Sequence, residues 1–345
     1  MQKEAMLYEK MDAERVHCYL CAHNCKITEG RAGVCRVRRN EGGLLNTLVY
    51  GRTIAANVDP IEKKPLFHFL PGSRSFSIAT VGCNFQCAFC QNWQISQASR
   101  TERGLEYGQE LPPSEVVGRA KQHGCASIAY TYTEPTIFFE YAYDTARLAR
   151  QEGLANLFVT NGYMTKEALD TIKPYLDAAN VDLKSFNDSY YKKVCKAQLQ
   201  PVLDSISYMK EIGLWVEVTT LVIPDENDSD EELGQIASFV AGVDSEIPWH
   251  ISRFRPDYRY SDRSATPIES LKRARDIGYK HGLKYVYLGN VPENLDTICP
   301  ECGHVVVRRG YAGLQDVRLI DGKCPNCDSP VSGVWSYTAG NRTAK

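Results

Sequence analysis

The residues most suited to chemistry are three closely spaced cysteines. Cys83, Cys87 and Cys90 form a C-x3-C-x2-C pattern, with Phe89 directly before the last cysteine. This spacing lets one loop present three thiolates to one corner of an iron–sulfur cube. Because a [4Fe–4S] cluster normally takes four cysteines, three leave one iron open, as a catalytic metal site requires. The alternative is a structural zinc loop or a set of buried thiols. Tetrahedral zinc needs a fourth ligand nearby, and the next His or Cys in the sequence is the distant His123.

The residues around these cysteines resemble a known signature. Residues 83–92 read CNFQCAFCQN, a run similar to the radical S-adenosylmethionine (SAM) superfamily and, within it, to the pyruvate formate-lyase-activating-enzyme branch. The resemblance implies that Cys83, Cys87 and Cys90 are the catalytic metal ligands, holding a [4Fe–4S] cluster whose open iron binds SAM. One electron then cleaves SAM to methionine and a 5′-deoxyadenosyl radical, which abstracts hydrogen from a substrate. Phe89 is expected to pack near the adenine of this cofactor.

Length and composition set the class of protein. The chain has 345 residues, enough for one large domain with attachments. Lys plus Arg number 40 against 42 Asp plus Glu, for a net charge of −2, so nucleic acid is not expected as a main partner. No apolar run reaches the ~18 residues of a membrane span, and Met1 to Lys10 lacks the apolar segment of a signal peptide. We therefore expect a cytoplasmic protein with no membrane partner.

Eleven of the thirteen cysteines fall in three groups, and Cys125 and Cys195 stand alone. Clustered cysteines in a long chain without secretion signals indicate metal rather than disulfides. The first group has the spacing C-x2-C-x3-C-x9-C, which predicts a metal site holding structural zinc or an auxiliary iron–sulfur cluster. Its members are Cys18, Cys21, Cys25 and Cys35. His17 or His23 can replace one of the four thiolates as a ligand.

The third group is a pair of C-x-x-C knuckles near the C-terminus. Its members are Cys299, Cys302, Cys324 and Cys327. Each knuckle turns two thiolates toward one metal, which predicts a zinc-ribbon or rubredoxin-like knob. Zinc is favoured over iron here because metal binding supplies the folding energy that so small a module needs.

Between the outer groups the sequence alternates strand-like and helix-like runs, which predicts an α/β fold with a parallel sheet. The resemblance makes this a partial (β/α)6 TIM-like barrel of the radical SAM type. The predicted strands are 76–81, 127–132, 156–160, 180–183, 215–222, 249–252 and 284–287, and the predicted helices are 137–151, 165–173, 228–242 and 267–281. We divide the chain into a Cys-rich segment with its linker (1–73), the barrel (74–292) and the C-terminal module (293–345).

Polar residues follow several predicted strands, where parallel α/β folds place their chemistry. The resemblance makes them SAM contacts: Glu134 for the methionyl amine, Thr160 and Asn161 beside the cofactor, Asp182 and Lys184 for the ribose and carboxylate, and His250 near the adenosine. Three alternatives stay open. Glu134 can be a helix N-terminal acid, Asp182 and Lys184 a simple ion pair, and His250 a core residue. The chain also departs from the family pattern, with Tyr132 and Thr133 in place of glycines.

The three parts together resemble the AmmeMemoRadiSam subgroup of this superfamily. That resemblance implies AMMECR1-like and Memo-like proteins as partners and an electron donor of the flavodoxin or ferredoxin type. The substrate, a small molecule or a protein, is not specified by the sequence. One alternative function is the activation of a glycyl-radical enzyme. An alternative of another class is a non-catalytic, metal-dependent RNA-binding or scaffold protein.

Overall fold

The structure, a computed structural model, describes residues 3–293, 295–310 and 313–337. Its N-terminal part is built from short strands. These are β1 (Lys3–Glu4), β2 (Tyr8–Lys10), β3 (Val16–Cys18), β4 (Cys25–Ile27), β5 (Arg38–Glu41), β6 (Leu44–Thr47) and β7 (Arg52–Thr53). Strands β1, β6 and β5 form one antiparallel sheet, and β2, β3 and β4 form another. Because β3 and β4 pair with Cys18 opposite Cys25, this sheet brings two distant cysteines together.

A single large sheet forms the centre of the molecule. The next strands along the chain are β8 (Ala55–Pro60), β9 (Arg74–Ala79), β10 (Gln109–Glu110), β11 (Ser127–Tyr130), β12 (Ala155–Thr160), β13 (Ala178–Asp182), β14 (Trp215–Val222), β15 (Trp249–Arg253) and β16 (Val286–Gly289). Eight of them pair in the order β16-β15-β14-β13-β12-β11-β9-β8, while β10 pairs with β7. The seven strands from β9 to β16 in this sheet are parallel. The expected partial barrel is confirmed.

One strand of this sheet lies where the sequence predicts a linker. β8 pairs antiparallel with β9 along its whole length, from Ala55 opposite Ala79 to Pro60 opposite Arg74. The sheet therefore begins before residue 74, the predicted start of the barrel. An edge strand pairs on one side and is partly exposed, so β8 carries too few apolar residues for a clear strand pattern.

The helices cover the sheet. They are α1 (Trp93–Ser96), α2 (Pro113–Gln122), α3 (Phe139–Gln151), α4 (Lys166–Ile172), α5 (Asp188–Tyr190), α6 (Gln200–Glu211), α7 (Asp230–Val243) and α8 (Ile268–Lys280). Of these, α3, α4, α7 and α8 begin within two residues of their predicted starts. Side-chain caps fix three of the helix starts, one of them through Asn187 at α5. Thr165 accepts a hydrogen bond from the backbone N–H of Ala168, and Ser229 accepts one from that of Glu232. Among the described helices, none has the length and apolar character needed to cross a membrane.

The C-terminal module is a small antiparallel sheet docked on the barrel. Its strands are β17 (Thr297–Ile298), β18 (Val305–Gly310) and β19 (Gly313–Val317). The backbone N–H of Leu70 donates to the carbonyl of Val334 at 2.8 Å, and the Arg309 guanidinium donates to the carbonyl of Phe67. The segment between β8 and β9 therefore holds the module in place. Residues 338–345 of the predicted module lie outside the described residues.

Candidate active site

A cavity of about 500 Å³ lies where the parallel strands of the barrel end. The cysteine loop follows β9, and the other predicted site residues follow or end β11, β12 and β13. The predicted residues that line the cavity are Cys83, Cys87, Phe89, Cys90, Glu134, Thr160, Asn161, Asp182 and Lys184. Nine of the ten predicted cluster and SAM-contact residues therefore come together, and His250 is the exception.

Polar groups lie beside two of the three sulfurs, those of Cys83 and Cys90. The backbone N–H of Phe85 donates to Cys83 Sγ at 3.3 Å, and Asn161 Nδ2 lies 3.9 Å from the same sulfur. Cys90 Sγ lies 3.3 Å from the Ser96 hydroxyl. Deprotonated thiolates are the form that binds metal. The donor set therefore fits three ligands of an iron–sulfur cluster.

Cys195 is a neighbour of the site that its isolated position in the sequence does not reveal. It ends the π-helical turn Tyr191–Cys195 that follows α5, and its carbonyl accepts a hydrogen bond from the backbone N–H of Gln86 at 2.9 Å. A hydrogen bond with the Cys195 thiol lowers the pKa of Cys87, whereas burial raises it. The positive charge of Lys184 also lowers this pKa. Cys87 is thereby favoured as a thiolate.

Glu134 both caps a helical turn and faces the cavity. Its Oε1 accepts hydrogen bonds from the backbone N–H of Thr136 at 3.1 Å and from the Thr160 hydroxyl at 2.7 Å. Its Oε2 accepts one from the backbone N–H of Asn161 at 2.8 Å. Burial raises the pKa of Glu134, against these hydrogen bonds. A carboxylate oxygen has about two acceptor sites, so Oε2 has one left for a further donor.

The turn before Glu134 contains a non-glycine residue with a positive φ. Tyr132 has a φ of +62°, in the left-handed region that glycine adopts easily. Its hydroxyl donates to the Asp59 carboxylate at the end of β8, which anchors the side chain in this conformation. Tyr132 therefore holds a left-handed conformation in this turn without being a glycine.

Asp182 and Lys184 form an ion pair that lines the cavity. Lys184 Nζ donates to Asp182 Oδ2 at 2.8 Å and lies 6.0 Å from the centre of the Phe89 ring. Burial alone lowers the pKa of Lys184, but the charges of Asp182 and Cys87 outweigh it and raise this pKa. The lysine therefore stays positively charged next to the cysteine loop.

His250 does not reach the cavity, contrary to the prediction that it contacts the adenosine. Its Nε2 lies 2.6 Å from Oε2 of Glu217, and both residues are buried. The Glu217 carboxylate also accepts hydrogen bonds from the backbone N–H groups of Phe67 and His68 and from Trp215 Nε1. His250 is a core residue because strand alternation and the Glu217 carboxylate turn its ring toward the β8–β9 connection.

A second group of charged residues at the cavity comes from residues 59–64, in the predicted linker. Asp59 Oδ1 accepts from Lys63 Nζ at 2.8 Å, and Asp59 Oδ2 accepts from Lys64 Nζ at 2.7 Å. Both lysines and Tyr132 line the cavity. Burial lowers the pKa of Lys64 to about 8, although the hydrogen bond that Lys64 donates to Asp59 opposes this shift. In the sequence, the only feature that sets residues 59–64 apart is their cluster of charged side chains.

The C-terminal cysteines are arranged as a compact metal site. Cys299 and Cys327 have their sulfurs 3.6 Å apart, as do Cys302 and Cys324. The ligand atoms of all four lie within 4.8 Å of one another. Sulfur spacing of this size matches a tetrahedron with a metal–sulfur bond of ~2.3 Å. The set therefore fits one zinc or one iron ion.

A partial α/β barrel with three thiols at the carboxyl ends of its strands defines a class of iron–sulfur enzyme. A family model described as the Radical SAM superfamily matches residues 77–237. The chain is also 47% identical over 320 residues to the protein MJ0808 of Methanocaldococcus jannaschii, with 92% of this chain and 94% of that protein covered. The chain belongs to the radical SAM superfamily and is an enzyme of that class. The superfamily implies a [4Fe–4S] cluster and SAM as cofactors.

Two further comparisons are more distant. The pyruvate formate-lyase-activating enzyme of Clostridium pasteurianum is 21% identical over 223 residues, which covers 59% of this chain and 89% of that enzyme. A crystal structure of a radical SAM methyltransferase from Sphaerobacter thermophilus superposes with a TM-score of 0.50 and 18% identity. It covers 64% of this chain and 67% of that one. At this identity the second comparison shows a shared fold alone.

Proposed function

We propose that this enzyme cleaves SAM reductively and uses the resulting radical to abstract hydrogen from a substrate. The observation that carries the proposal is that Cys83, Cys87 and Cys90 share one cavity with Glu134 and Lys184. In this proposal the three cysteines each hold one iron of a [4Fe–4S] cluster. With cluster and SAM bound, the site supplies one-electron cleavage to methionine and a 5′-deoxyadenosyl radical.

The residues of the cavity have distinct tasks in this proposal. Glu134 would accept a hydrogen bond from the methionyl ammonium through Oε2, the oxygen with a remaining acceptor site. Such a bond is charge-assisted and stronger than a neutral one. Lys184 presents a positive charge to the carboxylate of SAM, and Asp182 orients that lysine.

The remaining residues hold the cysteine loop and bound SAM. Asn161 Nδ2 donates to Asn84 Oδ1 at 2.8 Å and so fixes the cysteine loop against β12. Phe89 lines the cavity and would pack on bound SAM, and Thr160 keeps Glu134 in position. These contacts hold the reacting groups in place and exclude water from a reactive carbon radical.

The test is anaerobic reconstitution followed by a search for 5′-deoxyadenosine. Purified enzyme is loaded with iron and sulfide, reduced with dithionite and given SAM, and the product is quantified by mass spectrometry. We expect 5′-deoxyadenosine from the wild type and none from Cys87→Ala, which also loses the electron paramagnetic resonance signal of this cluster. Cys125→Ser, which changes a cysteine outside the cavity, is the matched control. Equal product from Cys87→Ala and the wild type contradicts the proposal.

A protein substrate is a second candidate, favoured by the relation to an enzyme named for activating pyruvate formate-lyase. In that case a glycyl radical forms on a partner protein, and a flavodoxin- or ferredoxin-type protein supplies the electron. AMMECR1-like and Memo-like proteins are the first partners to add to the assay. A several-fold rise in 5′-deoxyadenosine with one of them supports a protein substrate, and a rise with small molecules alone argues against it.

We also propose that the C-terminal cysteines bind structural zinc. Their ligand atoms are already within 4.8 Å of one another, and the sheet beside them is made of three short strands. Metal binding then supplies much of the folding free energy of the module. If the chain neither binds nor cleaves SAM, a metal-dependent RNA-binding or scaffold protein becomes the better interpretation.

A further inference from the structure

The four N-terminal cysteines surround a second, smaller cavity. Cys18 ends β3, Cys25 begins β4, and the loops beside them carry Cys21 and Cys35. The space among them is about 20 Å³, counted as the volume open to the centre of a water molecule. A void of ~10–15 Å³ by this measure already holds one water molecule. The four thiols thus face a hollow rather than one another.

This hollow is too wide for a tetrahedral zinc ion. With Zn–S bonds of ~2.3 Å, four sulfurs lie close to one another and leave no room between them for water. The C-terminal set of Cys299 and its three partners has that compact form. Within residues 3–293, 295–310 and 313–337, it is the one group of three or more ligand atoms that lie within 4.8 Å of one another. The N-terminal thiols are therefore spaced more widely, as the thiolates around an iron–sulfur cube are.

A buried arginine beside the cavity lacks the acceptors it needs. Arg38 is 2% exposed, and its Nη2 donates to Glu140 Oε1 at 2.8 Å and to the carbonyl of Met6. Its Nε and Nη1 are buried and have no hydrogen-bond partner among the described residues. A buried N–H left without an acceptor costs ~1–3 kcal/mol. Since Arg38 lines the cavity, an anionic group in that space provides the missing acceptors.

The ligand that fits both observations is an iron–sulfur cluster. A [4Fe–4S] core with four thiolates has a net charge of about −2 and many sulfur acceptors. It would fill the hollow and bring sulfur acceptors to Arg38. A zinc ion with four thiolates carries the same charge, but it requires the compact spacing that these sulfurs do not have.

One residue connects this cavity with the active site. His23 lies in the wall of the thiol cavity, between Cys21 and Cys25 in sequence. Its Nε2 donates to the carbonyl of Asn84 at 2.8 Å, and Asn84 directly follows Cys83. A single hydrogen bond therefore joins the two cysteine loops. Such a short connection suits the passage of single electrons.

We propose that Cys18, Cys21, Cys25 and Cys35 hold an auxiliary [4Fe–4S] cluster that relays single electrons to the cluster at Cys83. A low-potential donor protein of the flavodoxin or ferredoxin type is oxidised by one electron. The auxiliary cluster gains this electron and passes it on, so that the active-site cluster is reduced by one electron. No bond or proton changes in the relay. The relay rests on the proposed function of the active site, whereas the identity of the auxiliary cluster does not.

The identity of the metal is tested in a full-length variant that lacks the active-site ligands. Cys83→Ala, Cys87→Ala and Cys90→Ala are combined, and the protein is reconstituted anaerobically. We expect about four irons and about four sulfides per chain to remain, with a paramagnetic signal after dithionite reduction. One iron without sulfide, or a second zinc in place of iron, overturns the proposal. The N-terminal thiols are unchanged in this variant, so the result does not depend on a damaged site.

The relay is tested by comparing two reductants in Cys25→Ser. We expect 5′-deoxyadenosine formation driven by reduced flavodoxin to be lost, and formation driven by dithionite, which reaches the active-site cluster directly, to be retained. Cys125→Ser, a buried cysteine away from both cavities, is expected to behave as the wild type with both reductants. Equal loss with both reductants, or no loss with either, overturns the relay.

A failure of the proposed function gives a different result. In that case the wild type forms no 5′-deoxyadenosine even with dithionite. The iron and sulfide content of the triple variant still decides the identity of the N-terminal metal.

Discussion

His68 gives a sharp test of how the barrel and the C-terminal module are joined. Its ring is buried, with Nδ1 2.6 Å from the carbonyl of Ser332 and Nε2 2.6 Å from the hydroxyl of Tyr287. Because a carbonyl accepts but does not donate, Nδ1 carries the proton and Nε2 accepts from Tyr287. Burial lowers the pKa of His68 to about 4, helped by the charge of Arg309 and opposed by that of Glu217.

This pKa makes stability depend on pH in a defined direction. In the unfolded chain a histidine titrates near pH ~6.5. Between pH 6.5 and 4 the unfolded state therefore binds one more proton at this position, and lowering the pH favours unfolding. Each pH unit in this window costs ~1.4 kcal/mol, so the loss attributable to His68 between pH 7 and pH 5 is about 2 kcal/mol. Above pH 7 this contribution no longer changes.

The measurement is urea unfolding of the reconstituted enzyme at pH 7 and pH 5, followed by circular dichroism under anaerobic conditions. His68→Gln keeps a donor and an acceptor but does not titrate. We expect the free energy of unfolding to fall by about 2 kcal/mol more in the wild type than in this variant. Cysteines and carboxylates titrate in both proteins, so their effects cancel in the difference. His123→Gln, at an exposed position, is the control and keeps the wild-type response. The same loss in His68→Gln as in the wild type refutes the reasoning.

Three further predictions concern separate parts of the molecule. The two carboxylate oxygens of Glu217 accept four hydrogen bonds, and Glu217→Gln replaces one of these oxygens. We expect the free energy of unfolding in urea to fall by about 3 kcal/mol. The exposed control Glu167→Gln should change the free energy of unfolding by less than ~0.5 kcal/mol. Equal losses of stability in the two variants argue against a structural role for Glu217. Glu134→Gln should raise the KM for SAM about tenfold, because it loses a charge-assisted hydrogen bond worth ~1.5–3 kcal/mol. Initial rates of 5′-deoxyadenosine formation measure this, and an unchanged KM removes Glu134 from the SAM site. Cys302→Ser should lower the zinc content measured by mass spectrometry, whereas Cys195→Ser should not, and unchanged zinc in Cys302→Ser contradicts a C-terminal zinc site.

The barrel was accessible from sequence because its signals are local. β14 was predicted with its observed limits, Trp215–Val222, since a run of β-branched and aromatic residues is typical of a buried strand. α4 begins where Thr165 caps it, one residue into the predicted helix. β8 was missed because it is an edge strand and gains its stability from pairing with β9, which no local pattern records.

The candidate site was accessible to a similar degree. The spacing of Cys83, Cys87 and Cys90 predicted a cluster loop, and the three thiols line one cavity. The family resemblance suggested Glu134 and Lys184, and both line the same cavity because residues at the carboxyl ends of parallel strands meet at one edge of the sheet. His250 does not lie at the carboxyl end of a strand. It lies within β15, and its partner Glu217 is distant in sequence.

What the sequence determined by itself is the chemistry that the chain can hold, because metal ligands depend on residue type and short spacing. Three cysteines for an iron–sulfur cluster and two further cysteine groups follow from that. What only the tertiary structure decided is which distant residues share a space. Cys195 meets Cys87, Lys64 enters the cavity and Arg38 faces the N-terminal thiols because folding brings together segments that are far apart in the chain. The spacing between thiols, which separates a zinc site from a cluster site, is likewise a property of packed loops rather than of sequence intervals.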